Sequence, residues 1–233
     1  MLHSMQRQNR FNCILSLLSS LLLLFMLPLQ VSAQEKKIIE KKDTIPFYRG
    51  LSVSVDLVGV GMLAFSDYGQ IEGAVRVNLK DRFFPTIEGG YGKADHIDDG
   101  TEFYYKTGAP FFRVGCDFNL LKKKHGPNCL YAGLRYAFTS YNVDIAHPDF
   151  IDPVYGTPVS YVVENQKCNF HWLEIVVGLD TKVCGPLRLG WSVRYKRRLA
   201  HSEGGLGSTW YVPGFGKFSK TLIGGTFNVM IDI

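Results

Sequence analysis

The sequence predicts an all-β fold, an eight-stranded antiparallel up-and-down transmembrane β-barrel. Three observations carry this. Apolar and polar residues alternate at period two in eight separate runs. The connections between the runs are alternately short and long. Along the runs most charges share one parity and most large apolar residues the other, so each strand has two faces of opposite character.

Two segments precede the barrel. Arg7 and Arg10 form a positive start, Ile14 to Leu29 is an apolar core, and Val31-Ser32-Ala33 offers a cleavage site before Gln34. Residues 1–33 therefore read as a secretory signal peptide cleaved after Ala33. The apolar core is short for a helical span, which needs ~20 residues. Cys13 lies ahead of that core, where no lipid anchor attaches. Residues 34–49 form a charged periplasmic lead-in, with Lys36, Lys37, Glu40, Lys41, Lys42 and Asp43, and Pro46 near its end. The barrel is expected over 50–233.

Composition sets outer bounds. At 46% hydrophobic residues the chain is neither disordered nor collagen-like. Removing residues 1–33 takes away two arginines and no acid, so the formal charge of +5 falls to +3. That balance, with no polybasic run, argues against a nucleic-acid partner. No stretch after residue 33 is apolar enough for a membrane helix.

The strands follow in order. Residues 51–58 set Leu51, Val53, Val55 and Leu57 against Ser52, Ser54 and Asp56. Residues 70–79 set Ile71, Gly73, Val75, Val77 and Leu79 against Gln70, Glu72, Ala74, Arg76 and Asn78. A helix would scatter these apolar side chains around its axis, whereas a strand gathers them on one face. Residues 84–93 continue with Ile87 and Tyr91 opposite Glu88, and residues 111–120 with Phe112, Val114 and Phe118 opposite Arg113 and Asp117. Residues 130–139 place Leu130, Leu134 and Phe138 opposite Arg135. Residues 173–180 place Leu173, Ile175 and Val177 opposite Glu174 and Asp180. Residues 187–196 place Leu189, Trp191 and Val193 opposite Arg188, Arg194 and Lys196. Residues 223–233 close the series with Ile223, Phe227, Val229 and Ile231. Several runs approach the ~9–11 residues of a tilted membrane strand, and no helical period interrupts them.

The connections near 80–82, 121–129 and 183–185 are short, and those over 61–68, 94–106, 142–168 and 197–217 are long. Short periplasmic turns and long outer loops are the rhythm of a membrane barrel. A charge facing hydrocarbon is costly. Asp56, Glu72, Arg76, Glu88, Arg113, Asp117, Arg135, Glu174, Asp180, Arg188, Arg194 and Lys196 are therefore assigned to the lumen, six acids and six bases. An eight-stranded barrel is just wide enough for its own side chains, so this lumen is expected to be closed by ion pairs and non-conducting. Phe83, Phe84, Phe118, Phe138, Tyr195 and Phe227 are assigned to outward aromatic girdles. A soluble, lipocalin-like periplasmic binder would need the two faces reversed.

With its signal peptide, eight alternating runs, loop rhythm and a final strand reaching the last residue, the chain resembles the small outer-membrane β-barrels of Gram-negative bacteria. That group includes OmpA/OmpX-like and "porin family" barrels and several domains of unknown function. The resemblance implies residence in the outer membrane, contact with its lipid and lipopolysaccharide, and insertion by the barrel-assembly machinery. The chain ends in Ile233, with Phe227 six residues earlier, where such barrels use a terminal aromatic.

Other candidates are few. Cys129 and Cys184 fall in short turns at one rim and are candidates for a disulfide, which an oxidising periplasm permits. Lys196, Arg197 and Arg198 end the seventh strand, where they are either lipopolysaccharide contacts or rim charge. Asp95, His96, Asp98 and Asp99 fit no calcium-loop spacing and read as a solvated loop, and no Cys-x-x-Cys spacing suggests a metal. No cofactor is implied. His147, Asp149, His171, His201, Ser202 and Glu203 are the residues a barrel hydrolase would draw on, but their spacing forms no triad, and the chain is expected not to be an enzyme. Tyr141, Phe150, Tyr155, Tyr161, Trp210, Tyr211 and Phe215 either present an aromatic surface to an extracellular ligand of unknown kind or pack over the barrel mouth.

Overall fold

The computed structural model describes residues 46–151, 154–202 and 209–233. The signal peptide, lead-in residues 34–45 and Glu203 lie outside the described residues, as do the side chains of Asp149 and Phe150. The elements are β1 (Tyr48–Asp56), α1 (Leu57–Phe65), β2 (Tyr68–Leu79), β3 (Phe83–Ile97), β4 (Tyr104–Asn119), β5 (Asn128–Ile151), β6 (Pro158–Cys184), β7 (Leu187–Ser202), β8 (Tyr211–Val212), β9 (Gly216–Lys217) and β10 (Thr221–Asp232). Eight strands close into an antiparallel barrel in the order β1-β10-β7-β6-β5-β4-β3-β2, and β8 pairs with β9 in a separate small hairpin. β1 and β10 seal the ring, with Ile233 N donating to Leu51 O at 2.7 Å.

The faces are sorted as their parity demands. Val53, Ile71, Ile87, Val114, Leu134, Ile175, Trp191 and Ile231 are exposed on the outside. Glu72, Glu88, Arg113, Asp117, Arg135, Glu174, Asp180 and Arg194 are buried within. On β5 the outward run Leu130 to Phe138 covers nine residues. At ~3.3 Å per residue and a tilt of about 40°, that is a belt of roughly 23 Å, close to the ~25 Å apolar band of a membrane barrel.

Several expectations need correction. β1 starts at Tyr48, inside the stretch assigned to the lead-in. The connection expected over 142–168 is mostly strand, because β5 and β6 run for 24 and 27 residues and form a hairpin extending past the barrel. The connection near 61–68 is largely replaced by α1. Its sequence, Leu-Val-Gly-Val-Gly-Met-Leu-Ala-Phe, is apolar on every side, so it carries no helical stripe for a periodicity search to find. Asp56 starts α1 by accepting from Val58 N at 3.1 Å and Gly59 N at 3.0 Å. Phe84 is also not a girdle residue, since its ring lies inside, 4.0 Å beneath the Arg76 guanidinium.

The turn between β2 and β3 needs positive φ at two ordinary residues, Lys80 (55°) and Asp81 (54°). This is the handedness a two-residue hairpin favours, normally with Asn or Gly. Here Asp81 is held in place by Asn78 at 2.7 Å, Arg49 at 2.8 Å and His125 at 2.6 Å.

α1 docks on β2 through two glycines. A Cβ at Gly59 would stand 2.5 Å from Gln70 O, and one at Gly69 would stand 2.5 Å from Leu63 N. Both obstacles are backbone. Gly69→Ala is expected to lower stability by about 1–3 kcal/mol through overpacking. Gly61→Ala, with nothing within 4 Å of its new Cβ, is expected to raise it by about 0.5–1 kcal/mol through helix entropy. Urea unfolding of the two variants checks the pair.

Candidate functional site

The lumen is built in layers from inward positions of successive strands. At its centre Arg113 of β4 pairs with Glu72 of β2 at 2.6 Å, Glu88 of β3 at 3.2 Å and Glu174 of β6 at 2.9 Å. Arg194 of β7 reaches the same Glu72 at 2.8 Å and Glu88 at 3.1 Å. Arg135 of β5 joins Glu88 at 2.6 Å and Asp117 at 2.9 Å. Trp172 Nε1 donates to Glu174 at 2.7 Å. These ion pairs tie six neighbouring strands together across the interior. With Lys196 added, the central layer holds four acids and four bases and is formally neutral.

A second group lies toward the short turns. Asp180 accepts from Arg76 at 2.9 Å and from Arg188 Nε at 3.0 Å, and Arg188 also meets Asp232 at 3.6 Å. The Arg76 guanidinium is held between the rings of Phe84 and Tyr131, at 4.0 and 4.7 Å. This group borders a polar cavity of about 400 Å³ at the short-turn mouth, with Asn78, Asp81 and His125 on its wall. Between it and the central layer the space is only about 20 Å³, little more than one water needs.

On the other side of the central layer the lumen becomes apolar. Phe111, Val143, Phe170, Trp172, Val212 and Phe215 form a buried cluster there. The segment carrying β8 and β9 folds back onto it. Gly214 O accepts from Arg113 at 2.7 Å and from Lys196 Nζ at 2.8 Å, and Phe215 O accepts from Lys196 at 2.9 Å. Two cations thus hold a backbone plug. Gly214 has φ +81° and a Cβ there would strike the Phe111 ring at 2.4 Å, so the turn both needs and fits glycine. Tyr211 Oη donates to Gly69 O at 3.3 Å, and burial pushes this phenol above its ordinary range.

The structure brings together ten of the twelve residues assigned to the lumen as ion pairs, with Arg76 and Arg188 less deeply buried than the central layer. Asp56 stands apart as the α1 cap and accepts from Phe227 N at 3.0 Å. Lys196 is turned inward onto the plug, so the expected lipopolysaccharide contact by this residue is corrected. Arg197 is exposed, and the Arg198 guanidinium lies 5.0 Å over the Phe218 ring.

The Cys129–Cys184 disulfide is also corrected, since both are free thiols. Cys129 faces Asp180 in the register and Cys184 lies four residues further along β6, a gap of about 13 Å where a disulfide needs Cα atoms within ~7 Å. Among the described residues the hydrolase candidates His147, His171 and His201 lie apart from one another. His171 points outward and bonds Tyr136 Oη at 2.7 Å, while His147 meets Phe103 and His201 packs on Phe170. His96 stacks on Trp210 at 4.0 Å and pairs with Asp67 at 3.1 Å.

Residues 14–232 match the family described as a domain of unknown function, DUF6048, and the chain belongs to that family. A major outer membrane protein from Thermus thermophilus is similar in structure at 14% identity and a TM-score of 0.42, covering 79% of this chain and 98% of that one. No curated protein matches the sequence.

Removing one partner from a buried ion pair leaves an uncompensated charge and costs about 3–5 kcal/mol. Arg113→Met strands Glu72, Glu88 and Glu174 and frees the plug carbonyl at Gly214. A loss in that range, read from urea unfolding in lipid vesicles, is the expected outcome. Arg197→Met, on an exposed site, is expected to change stability by less than about 0.5 kcal/mol.

Proposed function

We propose that this protein is an outer-membrane β-barrel with a structural or surface-interaction role and a lumen that does not conduct. The observation that carries the reading is the inversion of the barrel's faces. Large apolar side chains are exposed in a continuous belt, while charged ones are buried inside. In water that arrangement would expose far more contiguous apolar surface than a soluble monomer tolerates. In a bilayer it is the favourable one. The soluble lipocalin-like alternative requires the opposite sorting.

Closure of the lumen is supported by the neutral ion-pair layer and by the plug at Gly214 and Phe215. With the short turns in the periplasm, the extended β5–β6 hairpin and the plugged mouth face outward. Tyr155, on that hairpin, is 78% exposed. Tyr141, Tyr211 and Phe215 are buried and pack over the mouth. Arg197 and Arg198, at the end of β7, are the cations of the proposed lipopolysaccharide contact. Insertion by the barrel-assembly machinery and kinship with OmpA/OmpX-like barrels belong to the same proposal, as does the absence of enzymatic activity.

Membrane fractionation with gel mobility before and after boiling tests the reading. A band in the outer-membrane fraction that shifts on boiling is expected, and a soluble band with no shift would overturn it. In planar bilayers the folded protein should show no steady conductance. Ile87→Arg, on the outward face of β3, should cost about 2–4 kcal/mol in vesicles if that face meets the bilayer midplane. An unchanged unfolding free energy for that variant would place Ile87 outside the membrane.

A further inference from the structure

The barrel wall is incomplete on one side. β1 pairs with β10 only from Ser52↔Asp232 to Asp56↔Asn228, and with β2 only as far as Val55↔Gly73. Beyond those points the chain leaves the sheet at Asp56 and becomes α1. Residues 221–227 of β10 pair with β7 on one side, and residues 68–72 of β2 pair with β3 on one side. Two strand edges therefore face each other across the place where β1 would continue. α1 covers the β2 edge, because Gly59 and Gly69 let it approach to backbone contact. It leaves open space on the β10 side.

That space is a cavity of about 560 Å³, within the ~300–1,000 Å³ range of small-molecule sites. Its lining mixes the two faces of the barrel. Trp191, Val193 and Ile223 belong to the exposed outer belt, whereas Ser192, Lys196 and Thr226 are buried on the inner side. One cavity touches both sets only where the wall is perforated. Met62, Phe215 and Leu222 add apolar surface. From Leu222 to Thr226 the β10 edge spans roughly 13 Å at ~3.3 Å per residue. Gly224 and Gly225 leave the middle of that edge without side chains. At the outer end stands Lys217, exposed, with its Nζ 5.6 Å from the Tyr68 ring and 5.2 Å from the Trp210 ring.

We infer that this side opening is a binding site for one acyl chain of a single-chain anionic amphiphile of the fatty-acid class. The tail lies between β10 and α1, entering from the apolar belt, and the carboxylate meets Lys217. The gap left by one missing strand suits a single chain rather than a pair. Of the two lysines on its wall, Lys196 is already held by the plug carbonyls. Lys217 is left for the ligand, at the end where an outer-leaflet headgroup would be. The Asp56 carboxylate fixes the opening's lower limit. It caps α1 and, at 3.0 Å from Phe227 N, supplies the last bond between the first strand and β10.

The inference rests on the membrane placement proposed above, and the boiling shift of each sample verifies folding independently of binding. Equilibrium dialysis of tritiated palmitate against the barrel held in amphipol should show a single saturable site. Gly225→Phe, at the outward parity it shares with Ile223 and Phe227, places a ring over the lipid-side entrance of the opening. Its Cβ has room, the nearest atom being Ser192 O at 3.8 Å, so the strand persists. This variant should weaken palmitate binding by at least about tenfold. Lys217→Glu should weaken palmitate to a similar degree while leaving neutral hexadecanol unaffected. Wild-type binding no stronger than that of folded Gly225→Phe would overturn the site. Hexadecanol binding as tightly as palmitate, or palmitate indifferent to Lys217→Glu, would overturn the assignment of an anionic ligand.

Discussion

Everything in this fold depends on where the charges go. A strand sends alternate side chains to opposite faces, so a belt fit for lipid on one side forces the intervening residues together in a narrow interior. Removing an ion from water costs several kcal/mol, and the cost is recovered only when each charge is paired and hydrogen-bonded. The central layer meets that condition by sharing. Glu72, Glu88 and Glu174 each meet more than one cation, and Arg113 meets all three. Because the partners sit on β2 to β7, the layer also fixes the register of those strands against one another. A slip of one residue would turn every charge toward the belt.

The same requirement explains the plug. Arg113 directs one guanidinium nitrogen away from the carboxylates, and Lys196 directs its ammonium to the returning loop. Backbone carbonyls at Gly214 and Phe215 satisfy both. The loop is thus held by leftover donors of the charge layer, and Phe215 and Val212 then seal the apolar side of the lumen. On the opposite flank, Asp56 is an inward acid that serves backbone donors instead of a cation. By capping α1 it ends β1 early and opens the wall.

The sequence makes the strand count, the sorting of faces and nearly all of the charge layer legible, because period-two alternation is a direct consequence of strand geometry. It hides features that break or outrun that period. α1 is uniformly apolar, so nothing marks it as helical. The outward extension of β5 and β6 is hidden by Pro148, Pro153 and Pro158, which read as loop punctuation. The apolar part of the lumen is readable in principle. Phe170 and Trp172 share parity with Glu174, and Phe111 shares parity with Arg113, so following the inward face beyond each charge finds them. Phe84 follows the inward parity of Thr86 and Glu88 in the same way. The plug and the side opening arise from contacts across the barrel between segments far apart in sequence, and no local pattern encodes them.

The central claim is that the apolar face meets lipid and the charged face does not. Three consecutive residues of β6 test it directly, with Ile175 and Val177 exposed on the outside and Val176 fully buried within. Their methyl NMR signals, recorded in vesicles carrying a nitroxide on the phospholipid acyl chain, report proximity to hydrocarbon. The account predicts strong broadening for Ile175 and Val177 and a sharp Val176. Equal broadening of all three would contradict it, as would Ile175 and Val177 signals that only a water-soluble gadolinium chelate broadens.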